Sequence, residues 1–407
     1  MPKNYYQIKK EIETNYHENY QYHQNSEALS YDIKSININD LISILQTILY
    51  DEEIKQQSLK LSRKSPLFDK LILMVSDDDK NPWVLRLHTY NVMDYRDGKI
   101  FNNLGYEVPD DEINPHFHRW DLTSRFLQGG FNNLQFDVAE FGLEKDKYAE
   151  FNLVSTKSDQ VLENKNKKRK ASYNGDKYLI TTENDLYYKG DLVHYPIEIA
   201  HKVNPKMAPF MGVTMTLAHT AESKLEHSIF YQKSLTDSVN SVPYSNKEHT
   251  HAIIQAITRL KLIKLCEQLA KLGFKRYDFP NSLETELLPT IAMAVLENEF
   301  QETKRHNTLE LITDDDSFII EENITQFLNQ LNHDEIHLLA ELIIQSQENL
   351  FKQGFFVKSL DELEGSLLQI ANKRLKTNPR DVVEPSPLFF KQILDESKKD
   401  NQVMAKL

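Results

Sequence analysis

The stretch PHFHRWDLTSRFLQGG, residues 115–130, carries the strongest signal for the fold. If the stretch is extended, residues two apart share a face, so His116 and His118 point to the same side of one strand. Two neutral imidazoles at this spacing can bind adjacent positions around one divalent ion, and imidazole suits iron, copper, nickel and zinc. Such pairs also arise by chance. The pair by itself therefore predicts half of a metal site.

A second segment, GDLVHYPIEIAHKVNP, residues 190–205, contributes a third histidine, His201. Taken together, the two segments resemble the cupin superfamily, whose motifs run G-x5-HxH-x3/4-E-x6-G and G-x5-P-x-G-x2-H-x3-N. The resemblance covers residues 80–231 and keeps the spacing of the second motif up to its histidine. The matching residues are His116, His118, Gly129 or Gly130, Gly190, Pro196 and His201.

The chain also departs from these motifs. Asp110 and Glu198 stand where the family has glycine, and Asn204 comes one residue early. The glutamate ligand of the family should fall at Leu122 or Thr123, and neither residue is acidic. The resemblance therefore implies a metal site that lacks the carboxylate of the family.

Asp121 is the nearest acid, but on a regular strand it points away from the side that His116 and His118 share. A β-bulge could turn it inward, so its role as a ligand stays open. Without a carboxylate, three neutral histidines leave a divalent ion its full charge of +2, which favours anionic substrates. Among cupins this looks like the thiol dioxygenases, similar to cysteine dioxygenase. Cys266 lies in the predicted helical half, so it does not supply the Cys–Tyr crosslink that such enzymes often carry.

The resemblance implies a mononuclear non-haem iron(II) oxygenase that acts on a small polar or anionic substrate and O2. Zinc, nickel, manganese and copper remain alternatives to iron, and no organic cofactor is predicted. Other chemistries also stay open, because one fold can serve many functions. They are a ligand sensor or interaction protein with a helical assembly domain, and a zinc-dependent hydrolase or isomerase.

Strand parity predicts further residues of a substrate pocket. Arg86 and His88 share a face of one strand, and a guanidinium can bind a carboxylate or phosphate through two hydrogen bonds. An ordinary buried or edge ion pair is the alternative for these two residues. The remaining predicted substrate-binding residues are Trp120, Ser124, Thr214 and Thr216.

The pattern along the chain predicts an α+β protein: a cupin double-stranded β-helix, or jelly-roll barrel, with a short helical N-terminal region and an α-helical C-terminal domain. The expected boundaries are 1–79 for the polar segment and helices, 80–235 for the barrel and 245–400 for the helical domain. Asp40 is predicted to cap a helix over 41–49, and Asn332 with Glu335 is spaced like a capping box. Helices are also expected over 253–272, ending at Gly273, and over 283–300 and 332–354. The predicted strands are 83–90, 116–127, 134–138, 178–182, 194–203, 213–218 and 228–231.

Composition limits the functional classes. The 407 residues carry a net charge of −13, which argues against general nucleic-acid binding. No apolar run reaches the roughly 18 residues of a membrane span, and the start lacks a secretory signal, so we expect a cytoplasmic protein. The single cysteine excludes an internal disulfide. The basic run at 165–170 is read as a solvated loop, with a localisation or polyanion patch as the alternative. Homo-oligomerisation and the role of residues 248–407 are left open.

Overall fold

The computed structural model describes residues 3–19, 33–64, 68–77, 83–90, 93–96, 99–102, 107–108, 114–118, 121–154, 170–204, 212–219, 228–232, 242–295, 315–351 and 359–372. These residues form an α+β protein with antiparallel sheets. The chain divides into two compact units, the first made of 1–294 with 341–357 and the second of 295–340 with 358–407. Among the described residues, no helix is both long and apolar enough to cross a membrane.

The sheets belong to the first unit. In chain order, the strands of the described residues are β1 Arg63–Lys64, β2 Phe68–Val75, β3 Trp83–Tyr90, β4 Met93–Arg96, β5 Lys99–Asn102, β6 Glu107–Val108, β7 Asp121–Gln128, β8 Gly130–Ala139, β9 Lys147–Val154, β10 Lys170–Tyr188, β11 Leu192–Tyr195, β12 Ala200–Asn204, β13 Val213–His219, β14 Ser228–Gln232 and β15 Val242–Pro243. The first sheet has seven strands in the order β11, β7, β13, β3, β2, β1, β15. The second has five in the order β12, β8, β10, β9, β14, and a third joins β4, β5 and β6.

Helices occur in both units. They are α1 Tyr5–Asn19, α2 Ile38–Tyr50, α3 Glu52–Leu61, α4 Asn246–Lys271, α5 Asp315–Leu328, α6 His333–Phe351 and α7 Leu360–Asn372. Residues 282–295 are also helical and contain a π-turn at Leu283–Leu287. Helices α2, α3 and α4 contact β2 of the first sheet.

A core lies between the first and second sheets. Its buried residues come from both sheets, because alternate side chains of each strand point inward. They are Leu122, Phe126, Val193, Tyr195 and Ala218 from the first sheet, and Phe131 and Val203 from the second. The strands therefore present every second residue to the space between the sheets.

The second sheet is closed on itself by a short segment. Phe117 N–H donates to the carbonyl of Ile229 on β14 at 2.9 Å, and Tyr231 N–H donates to the carbonyl of Pro115 at 2.8 Å. The same segment hydrogen-bonds to β12 through His116. Because β12 and β14 are the two edges of this sheet, residues 115–117 join one edge to the other.

Several predicted elements are confirmed. The strand over 83–90 has the predicted bounds, and the helix over 253–272 is the second part of α4, followed by Gly273 with a φ of 107°. Asn332 and Glu335 form the predicted capping box, in which each backbone N–H donates to the other side chain at 2.9 Å.

Two strand predictions are wrong. The stretch 116–127 is not one strand, since His116 and Phe117 pair with the second sheet while β7 begins at Asp121 in the first. The stretch 194–203 is divided by a turn, in which Ile199 N–H donates to the carbonyl of Pro196. A proline has no N–H for a sheet ladder, which favours the break at this point.

The N-cap of α2 also differs from the prediction. The cap is Asn37, whose side chain accepts from the N–H groups of Asn39 and Asp40. Asp40 returns the bond by accepting from the N–H of Asn37 at 3.0 Å, which completes a capping box. Asp110 and residues 165–169 of the basic run lie outside the described residues.

Candidate metal centre

The three histidines predicted from two separate segments lie together. His116 and His118 belong to residues 114–118, and His201 lies on β12. His116 N–H donates to the carbonyl of His201 at 2.9 Å, and His201 N–H returns the bond at 3.0 Å. One possible ligand atom from each histidine lies within 4.8 Å of the others. The backbone pairing thus brings three imidazoles to one point, and we call them the His triad.

Two of these imidazoles are oriented by hydrogen bonds from their far ring nitrogens. Nδ1 of His201 lies 2.8 Å from Oδ1 of the buried Asn133 on β8. Nδ1 of His116 lies 2.9 Å from the backbone carbonyl of Asn114. Both partners are oxygen acceptors, so each Nδ1 carries the proton. Each Nε2 then keeps its lone pair, which is the tautomer that an Nε2 metal ligand needs.

The third histidine faces the other two at short range. Nε2 of His118 lies 2.7 Å from Nε2 of His201. Burial lowers the pKa of both imidazoles well below the usual value, and for His118 the neighbouring His116 and His201 add to the effect. The neutral imidazole is the form that binds metals. The donor set of the His triad therefore fits a divalent metal ion.

A buried tyrosine stands beside the His triad. The ring of Tyr195 on β11 is 4.6 Å from the ring of His201, centroid to centroid. Its hydroxyl is buried and has no hydrogen-bond partner among the described residues. Burial raises the pKa of this phenol well above 10, with smaller contributions from Tyr90 and Tyr187. Tyr195 thus keeps its proton and can donate a hydrogen bond.

The first sheet supplies the opposite wall. Its register places Lys70, His88 and Thr214 in one row across β2, β3 and β13. The next row holds Ile72, Arg86, Thr216 and Ser124, the last on β7. Partners in an antiparallel sheet share a face, and this face is the inner one, because Phe126 and Ala218 of the core have the same parity.

The cations of this wall act on the His triad. Arg86 and Lys70 each contribute to lowering the pKa of His118, after burial and the two neighbouring histidines. Burial also lowers the pKa of His88, and Arg86 and Lys70 again add to it. The positive charges of Arg86 and Lys70 therefore act on an imidazole of the His triad, His118, and on one of the wall, His88.

A chain of side-chain hydrogen bonds crosses the same wall. Oγ of Ser124 lies 2.8 Å from Oγ1 of Thr216, which lies 3.4 Å from Nδ1 of His88. All three residues were predicted as pocket residues, together with Arg86 and Thr214, and the structure puts the five on one face. Ser124 lies on the first sheet, opposite His116, whereas the prediction placed Ser124 and His116 on the same strand.

Neither of the two positions expected for a carboxylate ligand carries an acidic residue. Leu122 is part of the core between the sheets, and Oγ1 of Thr123 lies 3.2 Å from Nδ1 of His194. Inward-facing positions of the described strands β2, β3, β7, β11 and β13 carry no Asp or Glu. The side chain of Asp121 and all of Trp120 lie outside the described residues.

Sequence reasoning missed Asn133, Lys70 and Tyr195. Tyr195 could have been found from the alternation of Val193 and Tyr195, but β12 was assumed to continue β11. Lys70 and Asn133 reach the site only through long-range strand pairing.

Comparisons of the chain with protein-family models, with curated proteins and with solved structures found no match.

Proposed function

We propose that this chain is a mononuclear metal-dependent oxygenase of the jelly-roll type, which holds iron(II) on His116, His118 and His201 and oxidises a small anionic substrate with O2. The observation that supports it is a donor set of three imidazoles facing a wall that contains Lys70 and Arg86. Zinc, nickel, manganese and copper are the alternative ions for the same donors.

Strand connectivity supports the jelly roll. Along the chain, β3 lies in the first sheet, residues 115–118 pair with the second, β7 lies in the first and β8 in the second. The sequence then returns through β10 in the second sheet, β11 in the first, β12 in the second and β13 in the first. Two antiparallel sheets wound alternately in this way make a double-stranded β-helix.

The residues around the His triad suit a small anion. Arg86 can hold a carboxylate or phosphate through two hydrogen bonds, and Lys70 adds a point charge. Ser124 and Thr216 supply hydroxyls on the same face, and Tyr195 supplies a protonated phenol beside His201. These side chains would bind the substrate and orient it toward the imidazoles.

An iron(II) ion on this site would supply open positions for substrate and O2 and the electron needed to activate O2. The protein contributes the neutral tautomers, which Asn133 and the carbonyl of Asn114 hold in place. It also contributes a substrate hydrogen bond from Tyr195, which stays protonated at neutral pH because it is buried.

The test is elemental analysis of protein purified without oxygen, next to a His116→Ala/His118→Ala variant. The control is His251→Ala, which removes a histidine from the surface of α4. Iron near one equivalent in the wild type and the control, and its loss in the double variant, would support the metal centre. Thiols and amino acids would then be screened for oxygen uptake.

Other outcomes point elsewhere. Bound zinc would favour a hydrolase or isomerase, and a metabolite that binds without oxygen uptake would favour a ligand sensor. If the wild type binds none of the five metals, or if the double variant keeps its metal, the proposed centre is wrong.

A further inference from the structure

A second charged site lies on the other side of β7 from the His triad. It is a cavity of about 290 Å³ between the start of α2, the end of β7, the β10–β11 turn and the second half of α4. Arg125 and Leu127 line it, and on a strand their side chains point to the side opposite to that of the inward-facing Ser124 and Phe126. We call this cavity the basic groove, and it is separate from the proposed metal centre.

Positive charge dominates the basic groove. The ionic side chains that line it are Arg125, Lys189, Lys264, Glu267 and Lys271, which are four cations and one carboxylate. This local excess stands against a net charge of −13 for the whole chain. Cations held together repel one another, so a bound anion would remove a cost that the folded protein otherwise carries.

The four cations come from three parts of the fold: β7, the turn between β10 and β11, and α4. The Arg125 guanidinium donates to the backbone carbonyl of Ile36 at 3.1 Å, which fixes it beside the start of α2. Lys189 is mostly buried and precedes Gly190, whose φ of 96° makes the tight turn into β11. Lys264 and Lys271 lie on α4, and neither forms an ion pair with a carboxylate among the described residues.

The start of α2 contributes shape to the groove and no free charge. Ile38 and Asn39, at the first turn of this 13-residue helix, line the cavity. The N–H groups of this turn are already capped by Asn37 and Asp40, so the positive charge of the groove comes from its side chains. Of the four cations, Lys189 already has a carboxylate neighbour, since its Nζ lies 3.8 Å from Oδ1 of Asp278.

We propose that the basic groove binds the phosphate groups of a small phosphorylated molecule. Lysines act as compact point charges toward phosphate, and an arginine fork adds directional hydrogen bonds. A diphosphate fits the groove, because its negative charge is comparable with the net charge of +3 that four cations and one carboxylate give the lining. This site does not depend on the function proposed for the His triad.

Calorimetric titration of inorganic pyrophosphate into the full chain tests the proposal. We expect one site whose affinity falls as salt is added, because ions screen exposed charges. Lys264→Gln/Lys271→Gln should weaken binding at least tenfold. Lys247→Gln, which removes the same charge from the first turn of the same helix, should leave it within twofold.

Three results would overturn the proposal. They are no binding by the wild type, equal binding by the double variant, and binding that is lost instead in Lys70→Met, which would assign the ligand to the His-triad wall. Tighter binding of a glutamate-rich peptide than of pyrophosphate would also overturn it in favour of a protein partner. If the double variant does not fold, Lys271→Glu at its exposed position gives the same test, because it also lowers the charge of the groove by two.

Discussion

Replacing Asn133 by leucine should weaken metal binding while leaving the fold in place. Asn133 is fully buried, and its Oδ1 accepts the Nδ1 proton of His201 at 2.8 Å. Loss of such an outer hydrogen bond typically lowers metal affinity roughly 10–100-fold, which is about 1.4–2.7 kcal/mol. The tautomer and the ring angle of His201 are then no longer held.

The effect on folding should be no larger than about 3 kcal/mol. Leucine leaves the Nδ1–H of His201 without an acceptor, which costs about 1–3 kcal/mol. It also removes Nδ2 of Asn133, a buried group with no partner among the described residues, and so offsets part of that cost. Because the two effects are of similar size, metal affinity and the free energy of unfolding of the metal-free protein have to be measured separately.

The assay is competition with a chromogenic chelator under anaerobic conditions, combined with urea unfolding of the metal-free protein. Asn133→Asp is the matched control, because it keeps an acceptor and should bind metal at least as tightly as the wild type. A folded Asn133→Leu protein with unchanged metal affinity would refute the orienting role of Asn133.

Of three further predictions, two concern the His triad and Tyr195, and the third concerns Glu284, whose Oε1 accepts a hydrogen bond from Nε2 of Gln128 at 2.6 Å. Iron(II) at 100 times its dissociation constant should stabilise the wild type by about 2.7 kcal/mol, seen as a higher melting temperature, and should not shift His116→Ala/His118→Ala. Tyr195→Phe should keep the metal content and lower turnover of any substrate found, so equal turnover would exclude the phenol from the reaction. Burial raises the pKa of Glu284 from 4.5 to about 7, so the folded protein favours the protonated carboxyl. Its contribution to the free energy of unfolding is therefore fully present below about pH 4.5 and is lost as the pH rises through 7. Unfolding titrations should show the wild type losing on the order of 2 kcal/mol relative to Glu284→Gln between pH 5 and 8, and parallel pH profiles would refute it.

The sequence predicted the local parts of the site well. His116 and His118 share a face because they are two residues apart, and the same rule put Arg86 with His88 and Thr214 with Thr216. These rules hold within one strand and need no knowledge of the fold. His201 came from the motif resemblance, and the structure brings it to the other two histidines.

Long-range pairing could not be predicted in the same way. Lys70 faces the His triad only because β2 pairs with β3 in a register that sets Lys70 opposite His88. Strand β9 was also missed, and of the 19 residues of β10 only 178–182 were predicted. Residues 183–185, which follow them, are all exposed. A strand exposed on both faces shows no alternation of apolar and polar residues, so its sequence lacks the signal on which strand prediction depends.

The charges of the wall lead to a last prediction, which runs against the usual effect of a substitution near a metal site. Lys70 and Arg86 favour neutral imidazoles, yet as cations they also oppose the arrival of a divalent ion. Lys70→Met should therefore raise metal affinity severalfold in the absence of anions, as measured by the same chelator competition.

The same change should weaken an anionic substrate, because Lys70 attracts it. Binding of metal and of anion would then be coupled, each strengthening the other by the same factor, as linkage requires. Lys247→Met, at an exposed position on the first turn of α4, controls for the loss of one positive charge from the whole protein. If Lys70→Met instead lowers metal affinity while Lys247→Met does not, Lys70 supports the structure of the site. The proposed role of Lys70 in binding an anion beside the metal is then wrong.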